Sequence, residues 1–99
     1  MPYHIEYSPD AEDHLRTITA RQQAIVLDAV DKQLIHEPAL ETRNRKPMRP
    51  NPIAPWELRI GNIRVYYDMQ EEPERVVYIR AIGIKLRNEV RIGGERIAL

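Results

Sequence analysis

Arginine and lysine side chains are the groups best suited to chemistry in this 99-residue sequence. Arginine presents a planar fork of N–H donors that can hold two phosphate oxygens at once. Such a cation can also stabilise the negative charge that builds on a phosphate during cleavage. The second half of the sequence therefore indicates a phosphate-binding surface, with the candidates Arg59, Arg64, Arg80, Lys85, Arg87 and Arg91.

Other kinds of site find little support. None of the histidines, His4, His14 and His36, has a second histidine at metal-ligand spacing, and there is no glycine-rich phosphate loop and no G-x-S-x-G motif. The absence of cysteine excludes disulfides, zinc–thiolate sites and thiol catalysis. No apolar run reaches the roughly 18 residues of a membrane span, and no secretory signal pattern opens the chain. A cytoplasmic location fits these observations.

Arg59 and Arg64 are expected to lie side by side on this surface. Apolar and polar residues alternate over residues 56–68, on both sides of a Gly-Asn pair, which predicts a β-hairpin. The two arginines then share the polar face of neighbouring strands. Two adjacent cations repel each other unless an anion lies between them. In the alternative interpretation, Glu57 or Asp68 neutralises the pair and forms a purely structural ion cluster.

The charge of the chain is zero in total but strongly segregated. Residues 1–41 carry a net charge of −5, and residues 42–67 carry +5. One face or end of the molecule should therefore be acidic and another basic. A polyanion responds to the local field more than to the total charge, so the neutral total does not exclude nucleic-acid binding.

A proline-rich segment, residues 38–55, precedes the hairpin. It holds five of the eight prolines, which exclude a helix or a central strand. Long connections without secondary structure are uncommon in small domains and are often functional. We expect a stiff basic edge; the alternative is a plain connector with a solvated charged surface. The cations of this segment are Arg43, Arg45, Lys46 and Arg49.

A short strand and two helices come first in the chain. Alternation predicts a strand over Tyr3 to Tyr7. A first helix is predicted from the Ser8 cap to about Thr19, and a second from about Arg21 to Glu37, ended by Pro38. The expected buried stripe of the second helix consists of Ile25, Val26, Ala29, Val30 and Leu34.

The last predicted strand, Val76 to Ile82, is apolar on most of both faces, which is typical of a central strand covered on both sides. We expect Val77, Ile79 and Ala81 to share one face and Gly83 to break the strand. A basic tail with a Gly-Gly turn follows. These elements predict one α+β domain over residues 1–99, with two N-terminal helices packed on an antiparallel β-sheet.

Taken together, the chain resembles the RelE/ParE superfamily of toxins from bacterial type II toxin–antitoxin pairs. The resemblance covers nearly the whole chain. It is carried by the helix pair, the basic loop, the hairpin W-E-L-R-I-G-N-I-R-V-Y-Y-D-M, the strand V-V-Y-I-R-A-I-G and the basic tail.

The resemblance implies a function. RelE-like members are mRNA endoribonucleases that act inside the ribosome without a metal or cofactor and so arrest translation and growth. The RNA 2′-hydroxyl attacks the adjacent phosphate and leaves a cyclic phosphate. The implied partners are a cognate antitoxin, the ribosome and mRNA, with operator DNA reached only through the antitoxin. ParE-like members share the fold and poison DNA gyrase instead. A third interpretation is a catalytically degenerate module that only binds its antitoxin and regulates their shared operon.

The resemblance also implies residue roles. Arg64 matches the arginine of the third sheet strand, Arg59 a basic residue on the preceding strand, and Lys85 a basic tail position. Glu57 stands where RelE has lysine, and Arg91 where RelE has tyrosine, so the proton-transfer groups differ from those of RelE. The implied catalytic set is Arg64, Arg59, Lys85 and Glu57, with Glu57 or Lys85 as the general base. The RNA-backbone contacts are Arg43, Arg45, Lys46, Arg49, Arg87 and Arg91.

Overall fold

A computed structural model describes residues 2–97 of the chain, with side chains over residues 2–95. One strand and two helices come first in the chain, and the other strands of the sheet follow. In chain order the elements are β1 (His4–Tyr7), α1 (Pro9–Arg16), α2 (Ala20–Leu34), β2 (Arg45–Pro47), β3 (Trp56–Ile60), β4 (Ile63–Gln70), β5 (Val76–Leu86), β6 (Glu89–Ile92) and β7 (Glu95–Ile97).

The seven strands seen in residues 2–97 form one mixed sheet. Six follow in the order β2-β3-β4-β5-β6-β7 with antiparallel neighbours, whereas β1 pairs with β5 in parallel. The prediction of an α+β fold with two helices on a sheet is confirmed, but the prediction of an antiparallel sheet is wrong at β1. Alternation reveals a strand but not its direction, which is set here by the helices that carry the chain from β1 back across the sheet.

The first helix begins at the predicted Ser8 cap but ends at Arg16, short of the predicted Thr19, and Thr19 instead caps the second helix, for which the sequence predicted a start near Arg21. The Ser8 side chain accepts a hydrogen bond from the Ala11 N–H at 3.0 Å, and Thr19 forms a capping box with Gln22. The second helix ends at Leu34, short of the predicted Glu37. The Ile35 carbonyl instead accepts the Tyr3 N–H at 2.7 Å, so a contact with the start of the sheet replaces the last helical turn.

Two apolar clusters cover the two faces of the sheet. The first lies between the sheet and the helices and includes Val30, Leu58, Val65 and Ile79. The second and smaller cluster, which we call the outer cluster, lies on the opposite face. It consists of Ala54, Tyr66, Ala81 and Ile92, with Met48, Ile53 and Val90 packed against it. The prediction that the last predicted strand is covered on both sides is thereby confirmed.

A β-bulge changes the faces of β5. Tyr66 pairs with Ala81 but Tyr67 pairs with Ile79, so Arg80 has no partner on β4. The extra residue on β5 reverses the sheet face on which each following side chain of that strand lies. Ile82 therefore joins Ile79 in the helix-side cluster and Ala81 faces the outer cluster, so the predicted grouping of Ala81 with Ile79 is wrong.

Gly83 does not break the strand. The residue lies within β5, which runs on to Leu86 and pairs with β6. A Cβ atom at Gly83 would approach the Arg91 carbonyl oxygen and Ile92 Cγ1 to 2.9 Å. The glycine therefore permits β6 to pack closely against β5 at this position. The prediction that Gly83 breaks the strand is wrong, because a glycine inside a strand can also mark a close approach of a neighbouring backbone.

Two further expectations need correction. Ile25 was expected in the buried stripe of the second helix, but it is 38% exposed, whereas Val26, Val30 and Leu34 are fully buried. The proline-rich segment is not entirely irregular, because Arg45–Pro47 pairs with β3 as a short edge strand. Over the described residues, neither helix has the length and apolar character needed to cross a membrane.

Candidate nucleic-acid interface

A basic cleft of about 480 Å³ lies between the proline-rich segment and β3, on the sheet face opposite the helices. Three of its side chains are cationic and one is acidic. The residues that line it are Lys46, Pro47, Met48, Arg49, Pro50, Asn51, Glu57 and Arg59. The cleft brings two of the four predicted loop cations, Lys46 and Arg49, next to one arginine of the predicted hairpin.

The rim of the cleft is held in place by Asn51. Its side-chain oxygen accepts the backbone N–H groups of Ile53 and Ala54 at 2.8 and 3.1 Å, and its amide donates to the carbonyls of Arg49 and Ala54 at 2.7 and 3.0 Å. Met48 N–H also donates to the Pro55 carbonyl at 2.8 Å. The segment that presents Arg49 is therefore ordered by its own side-chain hydrogen bonds.

Arg59 is engaged by a buried carboxylate. Its Nε donates to Glu57 Oε1 at 2.7 Å, and the Glu57 side chain is only 10% exposed, against 49% for Arg59. Of the two acids considered from the sequence, Glu57 thus neutralises Arg59, whereas Asp68 accepts the N–H of its neighbour Met69. Arg59 also lines the cleft, and the other N–H donors of its guanidinium make no hydrogen bond within the described residues, so they can contact an anion there.

Arg64 lies directly opposite Arg59 in the hairpin, as the sequence predicts. Its Nη1 donates to the carbonyls of Gly61 and Ile63 at 2.7 and 3.0 Å, which holds the guanidinium at the turn. On its other side Arg64 pairs with Gly83, which has no side chain of its own. Lys85 extends the same face two residues beyond Gly83.

The other predicted RNA contacts are more scattered. Arg45 donates to the Gln33 carbonyl and so turns toward α2, on the face away from the cleft. Arg43 is exposed, and Lys46 Nζ lies 3.5 Å from Glu41 Oε2. Of the tail residues, Arg87 occupies the turn between β5 and β6 with a φ of 58°. Arg91, 3.7 Å from Glu89, pairs with Ile84 and therefore lies on the helix side of the sheet.

Tyr66 is the residue of this region to which the sequence assigned no role. It pairs directly with Glu57 on the same face and is fully buried in the outer cluster. Its hydroxyl makes no hydrogen bond with suitable geometry among the described residues, although Glu57 lies nearby. Burial, and then the Glu57 charge, raise the pKa of Tyr66, so the phenol stays protonated. Its position on the polar face of the predicted hairpin was the available signal.

A solved structure resembles this chain, whereas the sequence comparisons find no match. No protein-family model matches the chain, and no curated protein matches it in sequence. Among solved structures, the toxin–antitoxin complex RelBE2 from Mycobacterium tuberculosis matches it with a TM-score of 0.73 and 25% identity. The match covers 86% of this chain and 100% of that chain. The resemblance to RelE-like toxins is thereby confirmed.

In this RelE-like chain, the candidate phosphate-binding cations lie together on the sheet face opposite the helices. Lys46, Arg49 and Arg59 surround the cleft, while Arg64 and Lys85 continue the same face toward the hairpin turn. Guanidinium and ammonium donors on rigid strands and an ordered loop can bind the phosphate of an RNA backbone and stabilise charge on it.

Proposed function

We propose that this RelE-like chain is the toxin of a type II toxin–antitoxin pair and an endoribonuclease that cleaves mRNA on the ribosome without a metal ion. The observation that carries the proposal is the likeness to the RelBE2 toxin–antitoxin complex, together with the basic cleft on the face away from the helices. The proposed partners are a cognate antitoxin, the ribosome and mRNA, with operator DNA bound only through the antitoxin.

The proposed reaction requires no group from outside the RNA and the chain. The 2′-hydroxyl oxygen attacks the adjacent phosphorus and loses its proton to a general base, for which Glu57 and Lys85 are the candidates. The bond from phosphorus to the 5′-oxygen breaks, and the proton taken from the 2′-hydroxyl is returned to that oxygen, which leaves a 2′,3′-cyclic phosphate and a free 5′-hydroxyl. Arg64 and Arg59 stabilise the negative charge that builds on the phosphate oxygens.

The test of this function is Arg64→Ala. We expect the variant to lose ribosome-dependent cleavage and growth arrest, a loss of about 2–4 kcal/mol of transition-state stabilisation. The fold should remain, because within the described residues the Arg64 side chain bonds only to the carbonyls of Gly61 and Ile63 in its own turn. RNA-end mapping after expression, with and without the neighbouring gene, measures the cleavage.

Arg16→Ala is the matched control, because Arg16 is exposed on α1 and paired only with Asp13 among the described residues. It should cleave as the unaltered protein does. An Arg64→Ala protein that folds, binds ribosomes and cleaves at the normal rate would contradict the proposal.

The contact between Glu57 and Arg59 favours a function without nuclease activity. The candidates are a gyrase-poisoning toxin and a module that only binds its antitoxin. A carboxylate that occupies a cation of the cleft weakens the attraction of the cleft for RNA phosphate. Inhibition of DNA supercoiling by the purified protein, with no new mRNA ends, would support the gyrase function. Absence of both effects would leave antitoxin binding alone.

A further inference from the structure

A buried hydroxyl group without a partner lies next to the basic cleft. The Tyr66 side chain is fully buried, and its hydroxyl makes no hydrogen bond of suitable geometry within residues 2–97, although the Glu57 carboxylate lies close enough to act on it as a hydrogen-bond acceptor. A phenylalanine would fill the same space beside Ala81 and Ile92 without burying an unsatisfied polar group. The hydroxyl therefore costs free energy while its hydrogen bond is poorly formed, and a rearrangement that let it bond fully to Glu57 would remove that cost.

Glu57 is the group that can use this hydroxyl. The two residues are directly paired across β3 and β4 on one face of the sheet, which places their Cβ atoms about 5 Å apart. The Glu57 carboxylate is also close enough to add to the effect of burial on the pKa of Tyr66. The phenol keeps its proton, so its O–H is available as a donor to a carboxylate.

Glu57 has a different partner in the present state. Its Oε1 accepts the Arg59 Nε–H at 2.7 Å, and Arg59 is half-exposed at the cleft. A phosphate in the cleft competes with Glu57 for the same guanidinium. If Arg59 turned to the phosphate with nothing in its place, the carboxylate would be left buried and unpaired, which is strongly unfavourable.

We propose that Tyr66 is a positioning residue of the phosphate site, whose hydroxyl binds the Glu57 carboxylate when a phosphate draws Arg59 away. This inference rests on the proposed function, because it takes the cleft as the place where an RNA phosphate binds. Met48 both lines the cleft and packs against the outer cluster, and its flexible side chain can follow the change. The exchange frees Arg59 for the phosphate and keeps the Glu57 carboxylate bonded to Tyr66, which leaves Lys85 as the candidate general base of the proposed reaction.

The test uses Tyr66→Phe, which keeps the ring and removes only the hydroxyl. The free protein is titrated with inorganic phosphate while NMR follows the Arg59 Nε–H and the Tyr66 ring. In the unaltered protein both signals should move together as phosphate binds. In Tyr66→Phe the phosphate affinity should fall about three- to tenfold, the size of one hydrogen bond.

Tyr7→Phe is the matched control. The Tyr7 hydroxyl is also buried without a partner in the described part of the chain, but it packs against the helix-side cluster, away from the cleft. Its removal should leave phosphate affinity unchanged. Equal weakening in both variants would show a general effect of deleting a buried hydroxyl and would overturn the proposal.

Glu57→Gln tests whether Tyr66 acts through the carboxylate. Without the charge of Glu57, the Tyr66 hydroxyl has no anion to stabilise, so Tyr66→Phe should cause no further loss of phosphate affinity in that background. The same loss in both backgrounds would overturn the proposal, as would a Tyr66→Phe protein with unaltered affinity.

Cleavage of mRNA on ribosomes, measured in parallel, separates this inference from the proposed function. A protein that binds phosphate with the expected dependence on Tyr66 but never cleaves would contradict the nuclease function and support the exchange. A protein in which phosphate leaves the Arg59 signal unmoved would overturn the exchange, even if the protein cleaves RNA.

Discussion

Tyr66 and Tyr67 are consecutive buried residues. Their side chains lie on opposite faces of β4, and their hydroxyl groups differ in hydrogen bonding. The Tyr67 hydroxyl donates to the Pro38 carbonyl at 2.6 Å, while the Tyr66 hydroxyl meets no partner within the described residues. A satisfied hydroxyl contributes to stability, and an unsatisfied one costs free energy. At the scale of single residues, the same side chain therefore has a structural role at one position and a proposed functional role at the next.

The first prediction at this scale concerns Tyr67→Phe. The change removes the hydroxyl that satisfies the buried Pro38 carbonyl, so the free energy of unfolding should fall by about 1–2 kcal/mol. Chemical denaturation at neutral pH measures the loss. Tyr66→Phe, which deletes an unsatisfied hydroxyl, should cause no loss, and an equal loss in the two variants would contradict the assignment.

At the scale of elements, the edge strand β2 sorts the cations of the proline-rich segment onto two faces. Lys46 pairs with Glu57 and faces the cleft, whereas Arg45 pairs with Leu58 and turns toward the Gln33 carbonyl on α2. Neighbouring residues of a strand point to opposite faces. One basic segment thus serves both the cleft and the attachment of the strand to the helix layer.

A comparison of variants tests this division. Lys46→Gln with Arg49→Gln should weaken ribosome binding and reduce the slope of log affinity against log salt by about 0.7 for each lost phosphate contact. Cleavage-site preference should stay the same, because phosphate contacts position an RNA without choosing its sequence. Binding measured over a salt series and RNA-end mapping give the two results.

Arg45→Ala is the counterpart in this comparison. It should lower the free energy of unfolding by about 1–3 kcal/mol through loss of the charged donor to Gln33, with a smaller effect on the salt slope. A changed site preference with unaltered binding in the double variant would count against the cleft as a backbone-binding surface.

At the scale of the whole molecule, charge is divided between the first 41 residues and the basic segment that follows. The cleft lies within the basic part, on the face that the helices leave uncovered. An acidic partner segment would complement this face by charge. The RelBE2 structure that the chain resembles is a toxin–antitoxin complex, which supports a cognate antitoxin as the partner.

The corresponding prediction is a stable complex with a cognate antitoxin. Co-expressed with the adjacent small open reading frame, the chain should elute with that partner on size exclusion at low salt, and phosphate should no longer perturb Arg59 in the complex. Elution of the chain alone would contradict the prediction.

A second whole-molecule prediction concerns alkaline pH. Burial, and then the Asp31 charge, raise the pKa of Tyr7 to about 12, and burial raises the pKa of Tyr66 and Tyr67 as well. Unfolded tyrosines ionise near pH 10 while the folded ones keep their protons. The stability from these neutral phenols is therefore complete below about pH 10 and is lost as the pH rises toward 12.

Denaturation curves at pH 7 and over pH 9–12 measure this loss. Tyr7→Phe should lose less stability than the unaltered protein over the same interval, because one ionising group is absent. Parallel curves for the two proteins would show that Tyr7 does not contribute to the alkaline loss.

The sequence by itself determined the features that depend on neighbours along the chain. Alternation defined the two faces of the hairpin, side-chain oxygens capped both helices, and the order of elements led to the RelE-like resemblance. The pairing of Arg59 with Arg64 also followed, because a short hairpin leaves one register that keeps the apolar face buried.

Only the tertiary structure decided the features that depend on distant contacts. These are the parallel direction of β1, the bulge at Arg80, the passage of β5 through Gly83 and the turn of Arg45 toward α2. A residue distant in sequence contacts the strand next to the bulge, because the Ile82 N–H donates a hydrogen bond to His14 Nδ1 at 3.2 Å. Likewise, the sequence named Glu57 and Arg59, but burial against Tyr66 decides how strongly the carboxylate needs a partner. Periodicity reports which face a residue occupies, whereas the fold decides what meets it there.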